Sequence, residues 1–369
     1  MKKKLLFIVP LPPPITGQSL ASAVLLSNLE NDFDVFTVNY SRENAIKKAG
    51  FDFNFIKKII KLGNVIKKQA KIANIIYFTI SQSLLGNLKD LFFLFKIGKY
   101  GRKKTIIHLH GGFFDKYIKK TNFIVKFLNK LLFKDIKFGI VLGKSLISCL
   151  TCILPQEKIK IVPNFYSDEI LISQSRLISK WNNPKKINLL FLSNLMEEKG
   201  YNELIDGFLE LNENERNKFD LFIAGDFEDS EKKHNFYRKI NDFDNIYYLG
   251  VVKGEDKINL LQKSHCFFLP TYYHIEGQPI SILEAYSAGL VVFTTNHNGI
   301  PDIFTDNING FFVEKKSKES ITASLLNLLQ NFEKYKDIAF FNKEFSSNFT
   351  KDQFILNIKD ILNSDSILN

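Results

Sequence analysis

Residues 274–302 read HIEGQPISILEAYSAGLVVFTTNHNGIPD, and two carboxylates in this stretch, Glu276 and Glu284, stand at an E-x7-E spacing. Gly277, Gln278 and Pro279 have loop character, whereas from Ile280 onward apolar residues recur at helical intervals (Ile280 with Leu283, Ile282 with Tyr286) until Gly289. A helix is therefore expected to start near Ile280, with Glu276 just ahead of it and Glu284 inside it. A helix start leaves backbone N–H groups unpaired and carries partial positive charge, so it suits an anionic or hydroxyl-rich ligand that a preceding carboxylate also binds. Glu284 would reach a second part of the same ligand. Taken alone, the spacing also fits an acid favoured near a helix start plus one exposed glutamate.

On both sides of this stretch, strand-like apolar runs alternate with amphipathic segments: 4–10, 35–38, 75–80, 105–109 and 139–142, then 188–192, 221–224, 246–249, 266–270 and 291–294. That is the pattern of a parallel α/β protein. With 369 residues the chain is long for one core and suits two domains. The expected division is a first domain over 1–170, a connection over 171–186 that holds the sole tryptophan, Trp181, a second domain over 187–338, and C-terminal helices over 339–369.

Hydrophobic residues at 45% and charged residues at 24% describe an ordinary globular protein and exclude disorder. A net charge of +11 predicts attraction to anionic partners, although no nucleic-acid motif accompanies it. Cys149 and Cys152 form a C-x-x-C inside an apolar, helix-like run without a second pair, which favours neither a disulfide framework nor a metal. Proline breaks the N-terminal apolar run MKKKLLFIVPLPPP, which reads as a first strand, not a leader. Residues 72–88 are too polar to span a bilayer, so the expectation is a cytoplasmic protein or one peripheral at the inner face of the membrane.

Glu276, Gly277, Leu283, Glu284, Ala285 and Gly289, followed by Gly299-Ile300-Pro301-Asp302 and Asn309-Gly310-Phe311, resemble the donor-site signature of the family 4 retaining glycosyltransferases. Ser287 and Asp302 stand where that pattern usually has alanine and glutamate. The resemblance implies the GT-B fold: two Rossmann-like α/β domains facing across a cleft, with a C-terminal helix returning to the first. It implies transfer, with retained anomeric configuration, from a nucleotide-sugar to a saccharide or lipid-linked acceptor in bacterial surface polysaccharide or lipopolysaccharide assembly. An inactive or binding-only subunit of this shape and a nucleotide-sugar epimerase are the alternatives.

Other loops carry the resemblance further. Ser193-Asn194-Leu195-Met196-Glu197-Glu198-Lys199-Gly200 is similar to the family's Gly-Arg-Leu-x-x-x-Lys-Gly loop. This makes Lys199 the expected cation for the donor diphosphate, with Asn194 in place of the usual arginine. His110-Gly111-Gly112 follows a strand, as the family's histidine beside the transferred sugar does, and Pro12-Pro13-Pro14-Ile15-Thr16-Gly17 resembles the first cleft-lining turn. Ala224-Gly225-Asp226 resembles an Ala-Gly-x-Gly loop in which Phe227 displaces the second glycine, and Ile161-Val162-Pro163-Asn164 resembles the turn near the domain crossover.

The resemblance thus gives His110, Lys199 and Glu276 catalytic roles. It gives Gly17, Asn194, Gly200, Gly277, Gln278, Pro279, Ile280 and Glu284 to the donor, Glu284 at the ribose. The co-substrate would be a UDP-, GDP- or ADP-sugar, with no obligatory cofactor. Asp32-Phe33-Asp34 and Asp242-Phe243-Asp244 precede strands and read as loop acids, so no metal is expected.

Two basic amphipathic stretches, 53–72 and 121–137, add an anionic membrane surface as a partner. In the second, Lys126, Lys130 and Lys134 oppose Phe123, Phe127 and Leu131, and Ile124, Leu128 and Leu132. The plain reading of each is a solvated face over a core face.

Overall fold

The computed structural model describes residues 2–42 and 53–364. Two compact units emerge: Met1–Asn164 with Ile275–Gln278 and Asp352–Asn369, and Phe165–His274 with Pro279–Lys351.

In the first unit the strands β1 (Lys3–Val9), β2 (Phe33–Asn39), β3 (Ile75–Thr79), β4 (Thr105–His108), β5 (Phe138–Val141) and β6 (Ile159–Ile161) form a parallel sheet of order β2-β1-β3-β4-β5-β6. Residues 5–9 of β1 and all of β3 are buried, as expected when crossover helices cover both faces of a parallel sheet. Strand order reverses between β1 and β3, so the loops leaving their carboxyl ends diverge, which is where open α/β sheets take their ligands. The turn after β1 enters the helix Gly17–Leu29 through a capping box: Thr16 Oγ1 accepts from the Ser19 N–H at 3.1 Å, and Ser19 Oγ accepts from the Thr16 N–H at 2.8 Å. The C-terminal helix Lys351–Asn363 joins this unit from Asp352 onward, and its Lys359 pairs with Asp32 at 2.5 Å.

In the second unit, β7 (Ile187–Leu192), β8 (Phe219–Ala224), β9 (Ile246–Gly250), β10 (Cys266–Leu269), β11 (Val291–Thr294) and β12 (Gly310–Phe312) form a parallel sheet of order β12-β11-β10-β7-β8-β9. The reversal here lies between β7 and β10. Ten of the twelve strands coincide with the apolar runs in the sequence; β6 and β12, at three residues each, are too short to show a pattern.

Two regions differ from the plain reading of the sequence. Residues 171–186 are not a bare connection: they contain the helix Gln174–Trp181, whose Leu177 and Trp181 lie one turn apart on its buried face. Trp181 stacks on Phe332 at 5.1 Å and donates from Nε1 to the Gly289 carbonyl at 3.2 Å, so it belongs to the core of the second unit. In the helix Phe123–Phe133 the expected core face is largely outside. Val125, Asn129, Leu132 and Phe133 are buried, whereas Phe123 is 78% and Phe127 61% exposed.

Candidate functional site

The carboxyl edge of the second sheet is built from four loops tied together by hydrogen bonds. The loop after β7 turns through the short 3-10 segment Glu197–Lys199 and ends at Gly200, which starts the helix Tyr201–Leu209. Gly200 has φ +82°, and a Cβ there would run into the Pro270 carbonyl, so only glycine fits this turn. The Glu198 carbonyl accepts from the Tyr272 N–H at 2.7 Å and from Thr271 Oγ1 at 3.2 Å, joining this loop to the one after β10. His297 Nε2 bonds the Tyr273 carbonyl at 2.9 Å, and Asn298 Nδ2 donates to the His274 carbonyl at 3.1 Å, adding the loop after β11. Lys199 Nζ sits 5.0 Å from the centre of the Tyr273 ring, so the expected diphosphate cation lies on this edge beside the β7/β10 reversal.

The loop after β8 explains one departure in the sequence. Phe227, where a second glycine was expected, is buried among Tyr201, Phe236 and Tyr248 at ring separations of 5.7, 5.1 and 5.6 Å. Aromatic packing there replaces the freedom of a glycine. Asn194 is exposed, and its carbonyl accepts from the Met196 N–H at 2.9 Å.

The helix expected near Ile280 runs Ile280–Ser287 with Pro279 at its cap. Glu284 is buried within it, 3% exposed, and its Oε1 meets Lys257 Nζ at 2.6 Å. Burial raises the Glu284 pKa above the ordinary carboxylate value, a rise that Lys257 only partly offsets. Glu284 is therefore no idle surface acid. Its partner Lys257, on the helix Gly254–Lys263, carries no motif in the sequence that would have pointed to it.

Residues 275–278 belong to the first unit and lie against the loops after β4 and β5. The Gly112 N–H donates to the Ile275 carbonyl at 3.3 Å. A Cβ on Gly277 would strike the His110 carbonyl, so the two backbones meet as closely as glycine allows. Gln278, expected at the donor, spends both ends of its amide on protein: Nε2 donates to the Leu142 carbonyl at 2.7 Å, and Oε1 accepts from the Asn164 N–H at 3.1 Å. Gln278 thereby ties its segment to the residues that follow β5 and β6, and Glu276, two positions earlier, is 8% exposed. Gln82, which the sequence did not flag, accepts from the Phe113 N–H at 2.6 Å and braces the His110 loop from the end of β3.

His110 stacks on His108 with ring centres 3.9 Å apart. His108 Nδ1 lies 2.5 Å from the Tyr77 hydroxyl, whereas neither ring nitrogen of His110 has a hydrogen-bond partner among the described residues. Burial pulls the His110 pKa down to about 3, so the ring is neutral near pH 7, with one donor and one acceptor to offer. The geometry thus brings His110, Gly277, Gln278 and Glu276 together on one edge, and Asn194, Lys199 and Gly200 together on the other. Gly17 opens its helix at the carboxyl end of β1. Among the described residues no cluster of three or more His, Cys, Asp or Glu could hold a metal.

The second unit has a counterpart among known proteins: residues 173–344 match the glycosyl transferases group 1. Over those residues the chain is similar to that family. The group 1 region holds Asn194, Lys199, Gly200, Glu276 and Glu284, and nearly fills the second unit. Over 286 residues the chain is 25% identical to an uncharacterised glycosyltransferase of Methanocaldococcus jannaschii, covering 74% of this chain and 69% of the relative. Over 107 residues it is 32% identical to the UDP-Gal:α-D-GlcNAc-diphosphoundecaprenol α-1,3-galactosyltransferase of Escherichia coli, 29% of this chain and 27% of that protein. Anabaena HepE in complex with UDP-glucose superimposes with a TM-score of 0.73 at 14% identity, covering 98% of this chain and 100% of that one. The fold is GT-B, with a Rossmann-like domain in each unit.

Proposed function

We propose that this chain is a group 1 glycosyltransferase that moves a sugar, with retained anomeric configuration, from a nucleotide-sugar to a saccharide or lipid-linked acceptor of a surface polysaccharide or lipopolysaccharide. The observation that carries the reading is the placement of Lys199 and Gly200 on the carboxyl edge of the second sheet, beside the strand-order reversal, within the group 1 region. Lys199 binds the diphosphate and stabilises the charge that grows on it as the sugar departs. Glu284 accepts from the ribose hydroxyls. Glu276 and the neutral His110 bind hydroxyls of the transferred sugar, and Gln278 acts by holding Glu276 in place.

In the reaction the bond from the anomeric carbon to the diphosphate oxygen breaks, the acceptor oxygen bonds to that carbon from the same face, and the acceptor proton passes to the departing diphosphate. No carboxylate nucleophile and no metal are needed. UDP-glucose is bound by HepE, and the Escherichia coli relative is named for a UDP-sugar and a diphosphoundecaprenol-linked acceptor, which makes UDP-sugars and polyprenyl diphosphate-linked saccharides the first compounds to try.

The test is incubation of the purified chain with UDP-, GDP- and ADP-sugars, with and without such acceptors, following release of nucleoside diphosphate and the anomeric configuration of the product. Acceptor-dependent release with an unchanged anomer is expected. An inverted product would remove the retaining assignment, conversion of the donor sugar without acceptor would reveal an epimerase, and no turnover of any donor would leave a binding subunit.

A further inference from the structure

We infer that the helix Phe123–Phe133, with the start of the helix Leu84–Arg102, docks the first unit on an anionic lipid bilayer. Residues 123, 127, 130, 131 and 134 share one solvent-facing side of the first helix at the helical repeat. Along it Phe123, Phe127 and Leu131 stand exposed beside the lysine heads of Lys126, Lys130 and Lys134. The apolar side is outside because the buried side is taken up by Asn129, which pairs with Asn87 through two 2.9 Å amide hydrogen bonds. That pairing sets the two helices side by side, and Leu84, Leu85 and Leu88 of the second helix are exposed as well. By contrast, the helix Phe53–Ile72 buries Ile59, Gly63, Ile66 and Ala70, an ordinary apolar stripe beneath its lysines.

An exposed run of large apolar side chains rimmed by cations matches the boundary between acyl chains and anionic headgroups. Charge argues for that occupant over a second copy of the chain. The helix Phe123–Phe133 contains no acidic residue, and Asp90 of its neighbour is buried against Lys89 at 2.8 Å. Pairing this face with itself would set lysines against lysines, whereas phosphatidylglycerol supplies the missing anions. No helix among the described residues is long and apolar enough to cross a membrane, so the contact is a surface one.

The test is co-sedimentation of the full chain with vesicles of phosphatidylcholine and of phosphatidylcholine with phosphatidylglycerol, at low and high salt. Binding to the anionic vesicles alone, weakened by salt, is expected. The variant with Phe123→Ser and Phe127→Ser should partition about 10-fold less with an unchanged melting temperature, since both side chains are already in water. The variant with Lys126→Ser, Lys130→Ser and Lys134→Ser should lose roughly 100-fold. Equal binding by all three proteins, or equal binding to both vesicle types, would overturn the inference. So would self-association that the phenylalanine variant abolishes while vesicle binding is absent. Because the readout needs no sugar transfer, failure of this proposal and failure of the proposed reaction are separate results.

Discussion

At the scale of single residues, several polar groups are buried at a cost to stability, and such a cost calls for a use. Glu284 is held above its ordinary pKa by burial, so its ionised form is penalised in the fold, and stability falls as pH rises through the carboxylate range. Glu284→Gln removes that penalty. Its melting temperature at pH 7.5 should equal or exceed that of the parent, with the difference vanishing near pH 4, while nucleotide affinity drops about 10-fold. A clear loss of stability at pH 7.5 would show that the Lys257 pair outweighs the burial. For His110 the shift has the opposite sense. With its pKa near 3, the ring does not titrate between pH 5 and 8. The transfer rate should therefore lack an acid limb that shifts or disappears in His110→Asn.

At the scale of elements, two glycines govern how close the backbones come. Gly200→Ala forces a Cβ into a left-handed turn and against the Pro270 carbonyl, and should lower stability by more than about 1 kcal/mol in thermal melts, as well as weaken donor binding. Gly277→Ala pushes residues 275–278 off the His110 carbonyl, so transfer should collapse while the melting temperature moves little, because the contact is local. A variant with normal turnover would mean that the close approach is incidental. The positions of these loops were legible in the sequence because Gly200 and Gly277 sit in motifs at the ends of apolar runs. What they touch was not. Gln278 bonding Leu142, Gln82 bracing Phe113 and Lys257 meeting Glu284 join residues 136, 31 and 27 positions apart, and no local pattern encodes such partners. The helix Phe123–Phe133 departs from expectation on two counts: at the helical repeat Lys130 and Lys134 fall on the side of Phe123 and Phe127 instead of opposite them, and packing through Asn129 decides which side is covered.

At the scale of the whole molecule, the fold was legible because parallel strands buried on both faces are continuous apolar runs, and ten of twelve announced themselves that way. Stability should carry the mark of buried histidines. His108 and His110 in the first unit and His265 in the second, the last with a pKa near 4, are all held below the free value by burial. Below pH about 6.5 the unfolded chain binds protons that the fold refuses, so melting temperature should fall steadily from pH 7 to pH 4.5. A flat profile would mean that these rings reach water. The proposed donor roles of Lys199 and Glu276 stand or fall on calorimetric titration of the parent, Lys199→Ala and Glu276→Ala with the best donor of the UDP-, GDP- and ADP-sugar panel. Measurable binding by the parent is expected, with at least about 10-fold weaker binding of donor and free nucleoside diphosphate to Lys199→Ala, and a loss confined to the sugar-bearing donor for Glu276→Ala. Equal affinity in all three proteins would contradict both roles.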